Sequence, residues 1–472
     1  MKAIIANPPW MYKGYYGVRA TSRWPHLRKD RVIPPPIFHM YAAAVLEQNG
    51  IQVKGIDAVQ KEMTIEEFVQ EVKVSNPDYL FMETAYTSYN FDKLTIEALR
   101  KETPAKIVIF GPHSTAIGEQ LMMENPNIDM AVKGEYDYTL SEIMQNQSNP
   151  EKVKGIAFRD GGRIVTTEPR PLITDIDSLP MPARHLYEIH GYEEPMYRRP
   201  NFLISTSRGC PYGCSFCVWP ATIHGNMFRF RSAKNVVDEI ELLVERYGAK
   251  SINIDDDTFT VRKDRVIEIC DEILRRKLDI TWYCYSRTNI DDIELYEKMA
   301  MSGCEIVRFG VESSSNSALK NVEKKLTVEQ IRKGFHIAER AGIKTMGTFT
   351  FGLPGETKDD ILNTIELSKK LNPFVVQYSF IVPFPGTKLY DQGKANGWFR
   401  DEDIDGFSGS VMPVLVPEGM TREELSSTVS GAYKSFYLRP SYIIKALGMS
   451  SDMHDLMRLA RGFNSIVKRF GI

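Results

Sequence analysis

The feature that most constrains the fold is an alternation of strand-like and helix-like patterns, which occurs in two series along the chain. In the first series, short apolar runs lie at 3–7, 51–57, 79–84, 106–110 and 129–133, with amphipathic stretches between them. The second series has runs at 201–206, 251–255, 280–285, 305–311, 344–351 and 375–382. Strands that alternate with helices form βαβ units and therefore parallel sheets. The sequence thus predicts an α/β protein with two such regions.

The same patterns divide the chain into four segments. Residues 1–145 form the first α/β region, and 146–198 carry a hairpin signal, Asp160-Gly161-Gly162, followed by a proline-rich linker. Residues 199–395 hold six βα repeats, which fit either an open sheet or an incomplete version of the eight-fold barrel. Residues 396–472 are mostly helical and end in a basic amphipathic stretch from Leu456 to Phe470. We interpret that stretch as a helix docked on the domain surface, with contact to a membrane surface or an acidic partner as the alternative.

Composition excludes several classes of protein. The formal net charge of −2 argues against a dedicated nucleic-acid binder, which would be strongly basic. The sequence has no apolar run of about 18 residues, and its N-terminal strand breaks at two prolines without a signal-peptide pattern. We therefore expect a cytoplasmic protein. Six cysteines are too few for a disulfide scaffold in 472 residues, so a cluster of them is more typical of metal binding.

Three of these cysteines lie in one short loop, directly after the first strand of the second series. Cys210, Cys214 and Cys217 have the spacing C-x3-C-x2-C, and three soft thiolates suit either zinc or an iron–sulfur cluster. A structural zinc site needs a fourth ligand, which His224 could supply. A four-iron cube held by three cysteines instead leaves one iron open to a small chelating ligand. The position of the loop favours the cluster, because chemistry in barrel folds gathers where strands end.

This loop, in its strand context and at the head of six βα repeats, resembles that of the radical S-adenosylmethionine (SAM) superfamily. The strand ends Asn7-Pro8-Pro9, Gly111-Pro112-His113 and Gly134-Glu135 are similar to those of the cobalamin-binding branch of that superfamily. The resemblance covers about residues 1 to 400. It implies an N-terminal Rossmann-like cobalamin-binding domain and a partial (β/α)6 barrel with a 4Fe–4S cluster on the three cysteines. It also implies a helical C-terminal region that helps to shape the substrate site.

The resemblance further implies which residues bind SAM. The acidic strand end at Asp256 and Asp257 would hold the amino group, with Asp256 as the first choice. Adjacent carboxylates repel one another, so a cationic partner is expected there, whereas a solvated acidic loop or helix cap is the alternative. The other implied contacts follow later strands and are Ser286 and Arg287 for the SAM carboxylate, Glu312 and Ser313 for the ribose, and Gly352 and Pro354 beside the adenine.

In the first region, the resemblance implies contacts to cobalamin at the strand ends and in the helices that follow them. These contacts are Asn7, Pro8, Pro9, Gly111, His113, Ser114, Gly134, Glu135 and Thr139. Many cobalamin domains carry Asp-x-His-x-x-Gly, whose histidine binds cobalt from below, but residues 1 to 150 contain no such run. We therefore expect no histidine below the metal and place His113 near the corrin or its tail. The missing motif also leaves open a domain that no longer holds cobalamin.

The function that the resemblance implies is C-methylation of an unactivated carbon under anaerobic conditions, by way of a 5'-deoxyadenosyl radical and methylcobalamin. A flavodoxin or ferredoxin is the implied reductant, and the substrate is a small molecule, a lipid, or a peptide or protein side chain. One alternative is a cobalamin-dependent cyclase or ring-contraction enzyme, for example on a hopanoid-type lipid. The alternative from another class is a zinc-stapled corrinoid-binding regulatory protein.

Overall fold

The computed structural model describes residues 1–19, 25–192, 194, 196–399, 412–448, 457 and 461. These residues form two compact units. The first unit comprises Met1–Tyr192, Cys217–Arg229 and Phe384–Ala395, and the second comprises the other described residues, chiefly Phe230–Pro383. Each unit is built on its own large sheet flanked by helices. The expected α/β class is confirmed.

The sheet of the first unit has the strand order β10-β9-β8-β7-β6-β1-β5. In chain order, the strands of this unit are β1 (Lys2–Asn7), β2 (Met11–Tyr12), β3 (Tyr15–Val18), β4 (His26–Arg28), β5 (Gln52–Asp57), β6 (Tyr79–Glu83), β7 (Lys106–Phe110), β8 (Met130–Val132), β9 (Ile156–Asp160) and β10 (Arg163–Thr166). Of these, β2, β3 and β4 form a separate three-stranded sheet. The strands from β8 to β5 in that order are parallel, and all five apolar runs of the first series are confirmed as strands. The β9–β10 hairpin pairs with β8 in antiparallel fashion, so it extends this sheet.

Five helices accompany this sheet within the described part of the first region. They are α1 (Ile37–Gln48), α2 (Ile65–Ser75), α3 (Tyr89–Glu102), α4 (Pro112–Glu124) and α5 (Asp137–Gln145). Helix α1 is buried at every position from Ile37 to Leu46, which explains why its sequence is apolar on all sides. Helix α4 begins after Gly111, whose φ of 101° favours glycine, and has Pro112 in its first turn. The end of β7 therefore leads directly into the N-terminus of a helix.

The sheet of the second unit is a parallel half-barrel with the strand order β11-β14-β15-β16-β17-β18. The strands of this part of the chain are β11 (Asn201–Ile204), β12 (Ser207–Arg208), β13 (Arg229–Phe230), β14 (Ser251–Ile254), β15 (Thr281–Ser286), β16 (Cys304–Glu312), β17 (Lys344–Phe351) and β18 (Val375–Phe380). Phe309 of β16 contacts Tyr296 and Phe335 of the covering helices, whereas Tyr285 and Arg308 contact each other on the opposite face. All six runs of the second series are confirmed as strands, and the incomplete barrel is confirmed.

The later helices are α6 (Ala233–Tyr247), α7 (Lys263–Arg275), α8 (Ile293–Met301), α9 (Asn316–Asn321), α10 (Val328–Arg340), α11 (Lys358–Leu371), α12 (Lys388–Ala395), α13 (Arg422–Tyr437) and α14 (Pro440–Gly448). Helix α13 closes the edge of the half-barrel sheet with two buried tyrosines. The Tyr433 hydroxyl bonds the backbone N–H and carbonyl of Tyr378 at 2.8 and 3.0 Å, and Tyr437 does the same for Val376 at 3.0 and 3.1 Å. These hydroxyls satisfy edge-strand groups that would otherwise be unpaired.

The basic stretch from Leu456 to Phe470 lies outside the described residues, apart from positions 457 and 461. Its predicted helix therefore stays a prediction. In the described part of the chain, no helix is both long and apolar enough to cross a membrane.

Candidate functional site

The three cysteines lie in the loop between β12 and a π-helical turn at Pro220–His224. All three are half-buried thiols outside any disulfide bond. Among the described residues, no three His, Cys, Asp or Glu side chains already stand close enough together to coordinate a single metal ion. A four-iron cube spreads its cysteine ligands over separate corners, so its ligands need not converge on one point. The donor set of three soft thiolates fits such a cluster.

The acidic strand end after β14 holds the backbone that leads into this loop. Both oxygens of the fully buried Asp256 accept hydrogen bonds: Oδ1 from the Thr206 and Ser207 N–H groups at 2.6 and 2.9 Å, and Oδ2 from their hydroxyls at 2.6 Å each. Arg265 supplies the expected cationic partner, with Nη1 3.9 Å from Asp256 Oδ2. The Asp256 carboxylate therefore stabilises the chain at Thr206 and Ser207, just before the cysteine loop. Asp257, which accepts a bond from the Gly209 N–H at 3.0 Å, is half-buried.

Arg287 lies against the cysteine loop. Its guanidinium is centred 3.8 Å from the ring of Tyr212, between the first two cysteines, and also donates to the carbonyl oxygens of Lys324 and Lys325. A stacked guanidinium over an aromatic face is stabilised by cation–π attraction. Arg287 therefore helps to fix the loop, and its Nε has no hydrogen-bond partner among the described residues. Its predicted neighbour Ser286 shares a hydrogen bond with the Thr260 hydroxyl at 2.6 Å.

Glu312 ends β16 in an unusual backbone conformation. Its φ is +64°, in the left-handed region that most residues avoid, and the register of β16 against β17 shifts between Gly310 and Glu312. Its carboxylate accepts hydrogen bonds from Lys324 Nζ at 2.7 Å and from the Thr350 hydroxyl at 2.8 Å. Strained residues of this kind persist where the surroundings hold them and cluster at functional sites. Lys324 and Thr350 were not identified from the sequence.

Glu356 connects two of the predicted SAM contacts. Its carboxylate accepts hydrogen bonds from the Gly352 and Leu353 N–H groups at 2.9 Å each and from the Ser313 hydroxyl at 2.6 Å. Burial raises the pKa of Glu356 to about 7. The carbonyl of Pro354 accepts a bond from Asn321 Nδ2 at 2.8 Å. One buried carboxyl group therefore joins the ends of β16 and β17. Glu356 is the last residue of the sequence motif Gly-Leu-Pro-Gly-Glu, but its role could not be inferred from the motif.

In the first unit, the end of β1 belongs to a buried polar network. Asn7 accepts a hydrogen bond from Arg19 Nη1 at 2.7 Å and donates to Asp57 at 2.9 Å. The same Arg19 group donates to the Pro8 carbonyl at 2.7 Å, and Arg19 Nη2 pairs with Asp92 at 2.6 Å. These bonds fix the shape of the predicted cobalamin loop at Asn7-Pro8-Pro9. Arg19 and Asp92 gave no sequence signal, because they are distant from the motif along the chain.

The other predicted cobalamin residues lie at the ends of β7 and β8. His113 is buried with the rings of Tyr86 and Tyr89 edge-on at 5.1 and 5.4 Å, and burial lowers the pKa of His113 to about 3, so the ring is neutral. The hydroxyl of Ser114 lies 2.8 Å from the Val132 carbonyl oxygen. A Cβ added at Gly134, whose φ is 76°, would meet nothing within 4 Å. The backbone at Gly134 is therefore open on its side-chain face.

Glu135 and Thr139, two further predicted cobalamin residues, bind groups of the protein. Glu135 pairs with Arg229 Nη1 at 2.9 Å through both carboxylate oxygens and accepts a bond from the Ile173 N–H at 2.7 Å. The Thr139 hydroxyl donates to the Glu135 carbonyl at 3.1 Å. Their side chains therefore stabilise this strand end from within, and their cobalamin contacts stay predictions.

Comparison with known proteins gives the family. Residues 204–368 match the Radical SAM superfamily, and residues 27–144 match the B12 binding domain. The chain is 33% identical over 416 residues to an uncharacterized methyltransferase of Pyrococcus horikoshii, which covers 87% of this chain and 89% of that protein. The chain belongs to the radical SAM superfamily. It also carries a B12-binding domain, and the relative spans both domains.

Two further proteins are similar to this radical SAM enzyme, one in sequence and one in structure. An anaerobic magnesium-protoporphyrin IX monomethyl ester cyclase of Rubrivivax gelatinosus is 26% identical over 425 residues, covering 87% of this chain and 75% of the cyclase. The solved structure of the radical SAM methyltransferase TsrM from Kitasatospora setae, with cobalamin and a [4Fe-4S] cluster bound, has a TM-score of 0.71 at 17% identity. It covers 100% of this chain and 99% of TsrM and supports the fold.

Family membership confirms the cofactors expected from the sequence, which are a 4Fe–4S cluster, SAM and cobalamin. It also decides against the zinc-stapled regulatory protein. In the structure, the ring of His224 packs between Phe38 and Trp219, at 5.0 and 5.1 Å. The individual contacts predicted for SAM and cobalamin stay predictions.

Proposed function

We propose that this protein is a cobalamin-dependent radical SAM methyltransferase that methylates an unactivated carbon of a small molecule. The observation that carries the proposal is the 33% identity to the uncharacterized methyltransferase of Pyrococcus horikoshii across both the B12-binding and the radical SAM domain. When bound, the cluster and SAM supply a carbon-centred radical, and cobalamin supplies the methyl group. The task of the chain is to hold these groups and to exclude water while they react.

In this proposal, Cys210, Cys214 and Cys217 hold the cluster, and the strand ends of the half-barrel orient SAM. Asp257 is the better candidate for the SAM amino group, because the oxygens of Asp256 already accept four hydrogen bonds. Arg287 lies over the cysteine loop and presents a guanidinium, a group that matches a carboxylate in two-point geometry.

The ribose and adenine contacts are proposed on the strand ends that Glu356 joins. Ser313 and Gly352 both bond to this carboxyl group, so the two loops are held in one arrangement. In the B12-binding domain, burial lowers the pKa of His113 to about 3, so its ring is neutral and only weakly basic near neutral pH. This suits a position beside the corrin or its tail rather than a role in acid–base chemistry.

The test is anaerobic reconstitution of the purified chain with iron and sulfide, followed by incubation with SAM, a chemical reductant and methylcobalamin. Mass spectrometry then quantifies 5'-deoxyadenosine and S-adenosylhomocysteine. Formation of both products supports methyl transfer. Cys210→Ala should abolish both, whereas the matched control Cys270→Ala, which changes a buried thiol of helix α7, should leave both unchanged. Equal product from the Cys210 variant would contradict the proposal.

The second candidate is a cobalamin-dependent cyclase, which the similarity to the Rubrivivax gelatinosus enzyme favours. Magnesium-protoporphyrin IX monomethyl ester, the compound in that relative's name, is the substrate for this arm of the test. A cyclised product, with 5'-deoxyadenosine but no S-adenosylhomocysteine, would favour the cyclase over the methyltransferase. A flavodoxin or ferredoxin is proposed as the physiological reductant, and replacing the chemical reductant with each protein tests it.

A further inference from the structure

We propose that Thr258 is a positioning residue for the cluster: its hydroxyl donates a hydrogen bond to the sulfur of Cys210 and raises the reduction potential of the cluster that this sulfur binds. The inference rests on the 4Fe–4S cluster of the proposed function but not on methyl transfer. It gives a role to a threonine that no sequence motif singled out.

The hydroxyl of Thr258 lies near two hydrogen-bond acceptors. Thr258 Oγ1 lies 3.4 Å from Cys210 Sγ and 2.7 Å from the carbonyl oxygen of Asp257, and Thr258 is only 5% exposed. A hydroxyl has one proton to donate, so these two acceptors compete for it. A cysteine bound to iron is a thiolate and can only accept. Because hydrogen bonds to an ionised partner are the stronger ones, the proton should turn toward the sulfur when the cluster is bound.

The surrounding contacts fix both partners before any cluster binds. Asp256 accepts four hydrogen bonds from Thr206 and Ser207. Asp257 accepts a hydrogen bond from the N–H of Gly209, immediately before Cys210. Three consecutive residues of the β14 strand end therefore hold consecutive parts of the chain that leads to the cluster ligand. Thr258 itself has extended backbone with φ −159°. With both backbones held, the hydroxyl and the sulfur have little freedom to separate.

The expected consequence is electrostatic. Reduction adds a negative charge to the cluster and its thiolates, and a hydrogen bond to a ligand sulfur stabilises that charge. Removing the hydroxyl should therefore make reduction less favourable, by about tenfold in the equilibrium constant, or about 59 mV for one electron. The loss concerns the potential, whereas iron binding by the three cysteines should persist.

The test compares Thr258→Val, which keeps the shape and removes the hydroxyl, with Thr258→Ser, which keeps the hydroxyl. Thr345→Val is the matched control, since this buried threonine of β17 has no hydrogen-bond partner among the described residues. Each reconstituted full-length protein is titrated with reductant, without substrate, and the reduced cluster is followed by electron paramagnetic resonance. Iron content is measured in parallel.

We expect a potential shifted to more negative values in Thr258→Val, with iron content unchanged and with wild-type potentials in Thr258→Ser and Thr345→Val. An unshifted potential in Thr258→Val would overturn the proposal, as would an equal shift in Thr345→Val. If the valine variant fails to fold, Thr258→Ala takes its place with the same expected shift. Failure of methyl transfer leaves this measurement intact, whereas a wild-type chain without a four-iron cluster would overturn both proposals.

Discussion

Replacing Asp256 distinguishes its structural task from a SAM contact. Its four hydrogen bonds fall into two pairs: Oδ1 accepts from two backbone N–H groups, and Oδ2 accepts from two hydroxyls. In Asp256→Ala, two buried N–H groups lose their acceptor and cannot rotate to find another. At about 1.5 kcal/mol for each bond to a charged group, the loss of four bonds should destabilise the protein by about 6 kcal/mol.

Asp256→Asn should cost much less. The amide oxygen can take the place of Oδ1 and keep both backbone bonds, and the two hydroxyls can rotate to accept from the amide N–H groups. What is lost is the charge, including its attraction to Arg265 Nη1 at 3.9 Å, so we expect about 2 kcal/mol. The alanine variant should therefore lose about three times as much stability as the asparagine variant.

Thermal unfolding followed by circular dichroism measures the two variants, and equilibrium dialysis of the reconstituted proteins measures their affinity for SAM. If the two variants melt at the same temperature, the hydrogen-bond argument is wrong. If Asp256→Asn is as stable as wild type but no longer binds SAM, the carboxylate contacts SAM instead. That second outcome would restore the first choice made from the sequence.

Three further predictions concern other parts of the molecule. Tyr433→Phe and Tyr437→Phe should each destabilise the protein by about 1–3 kcal/mol, because each leaves a buried N–H and a buried carbonyl of β18 unpaired. Unchanged melting temperatures would show that these hydroxyls do not stabilise the edge strand. Burial raises the pKa of Glu356 to about 7 in the folded protein, so the wild type should lose stability relative to Glu356→Gln as pH rises from about 4.5 to about 7, with no further loss above that. If thermal melts show a constant difference between the two proteins across this range, the raised pKa of Glu356 is wrong. With a pKa of about 3, the His113 ring should show no titration between about pH 5 and pH 8 in nitrogen-15 NMR spectra, and a midpoint near 6.5 would show that the ring is accessible to water.

Buried carboxyl groups hold three strand ends of the second unit in place. At the ends of β14, β16 and β17, Asp256, Glu312 and Glu356 each accept a hydrogen bond from another segment of the chain. Buried carboxylates with all of their oxygens paired rigidify such loops. A rigid frame of this kind positions reactants without needing contacts to be remade at each turnover.

The sequence alone determined the architecture and predicted the ligands of the cluster. Apolar runs such as 106–110 and 344–351 are strands because continuous burial in a parallel sheet leaves no polar positions, and that pattern is local. The spacing of Cys210, Cys214 and Cys217 is likewise local, so the order of residues along the chain was enough to infer the cluster loop and the family. Family comparison then confirmed the family, and the three cysteine ligands stay a prediction.

Only the tertiary structure decided what the individual polar side chains do. Asp256 and Asp257 look equivalent in sequence, yet the first is fully buried and bonded to Thr206 and Ser207, fifty and forty-nine residues away. Thr258 reaches Cys210 across 48 residues, and Glu356 reaches Ser313 across 43. Such partners are chosen by how neighbouring parallel strands bring their ends together. That choice depends on sheet order and register, which no local pattern of residues encodes.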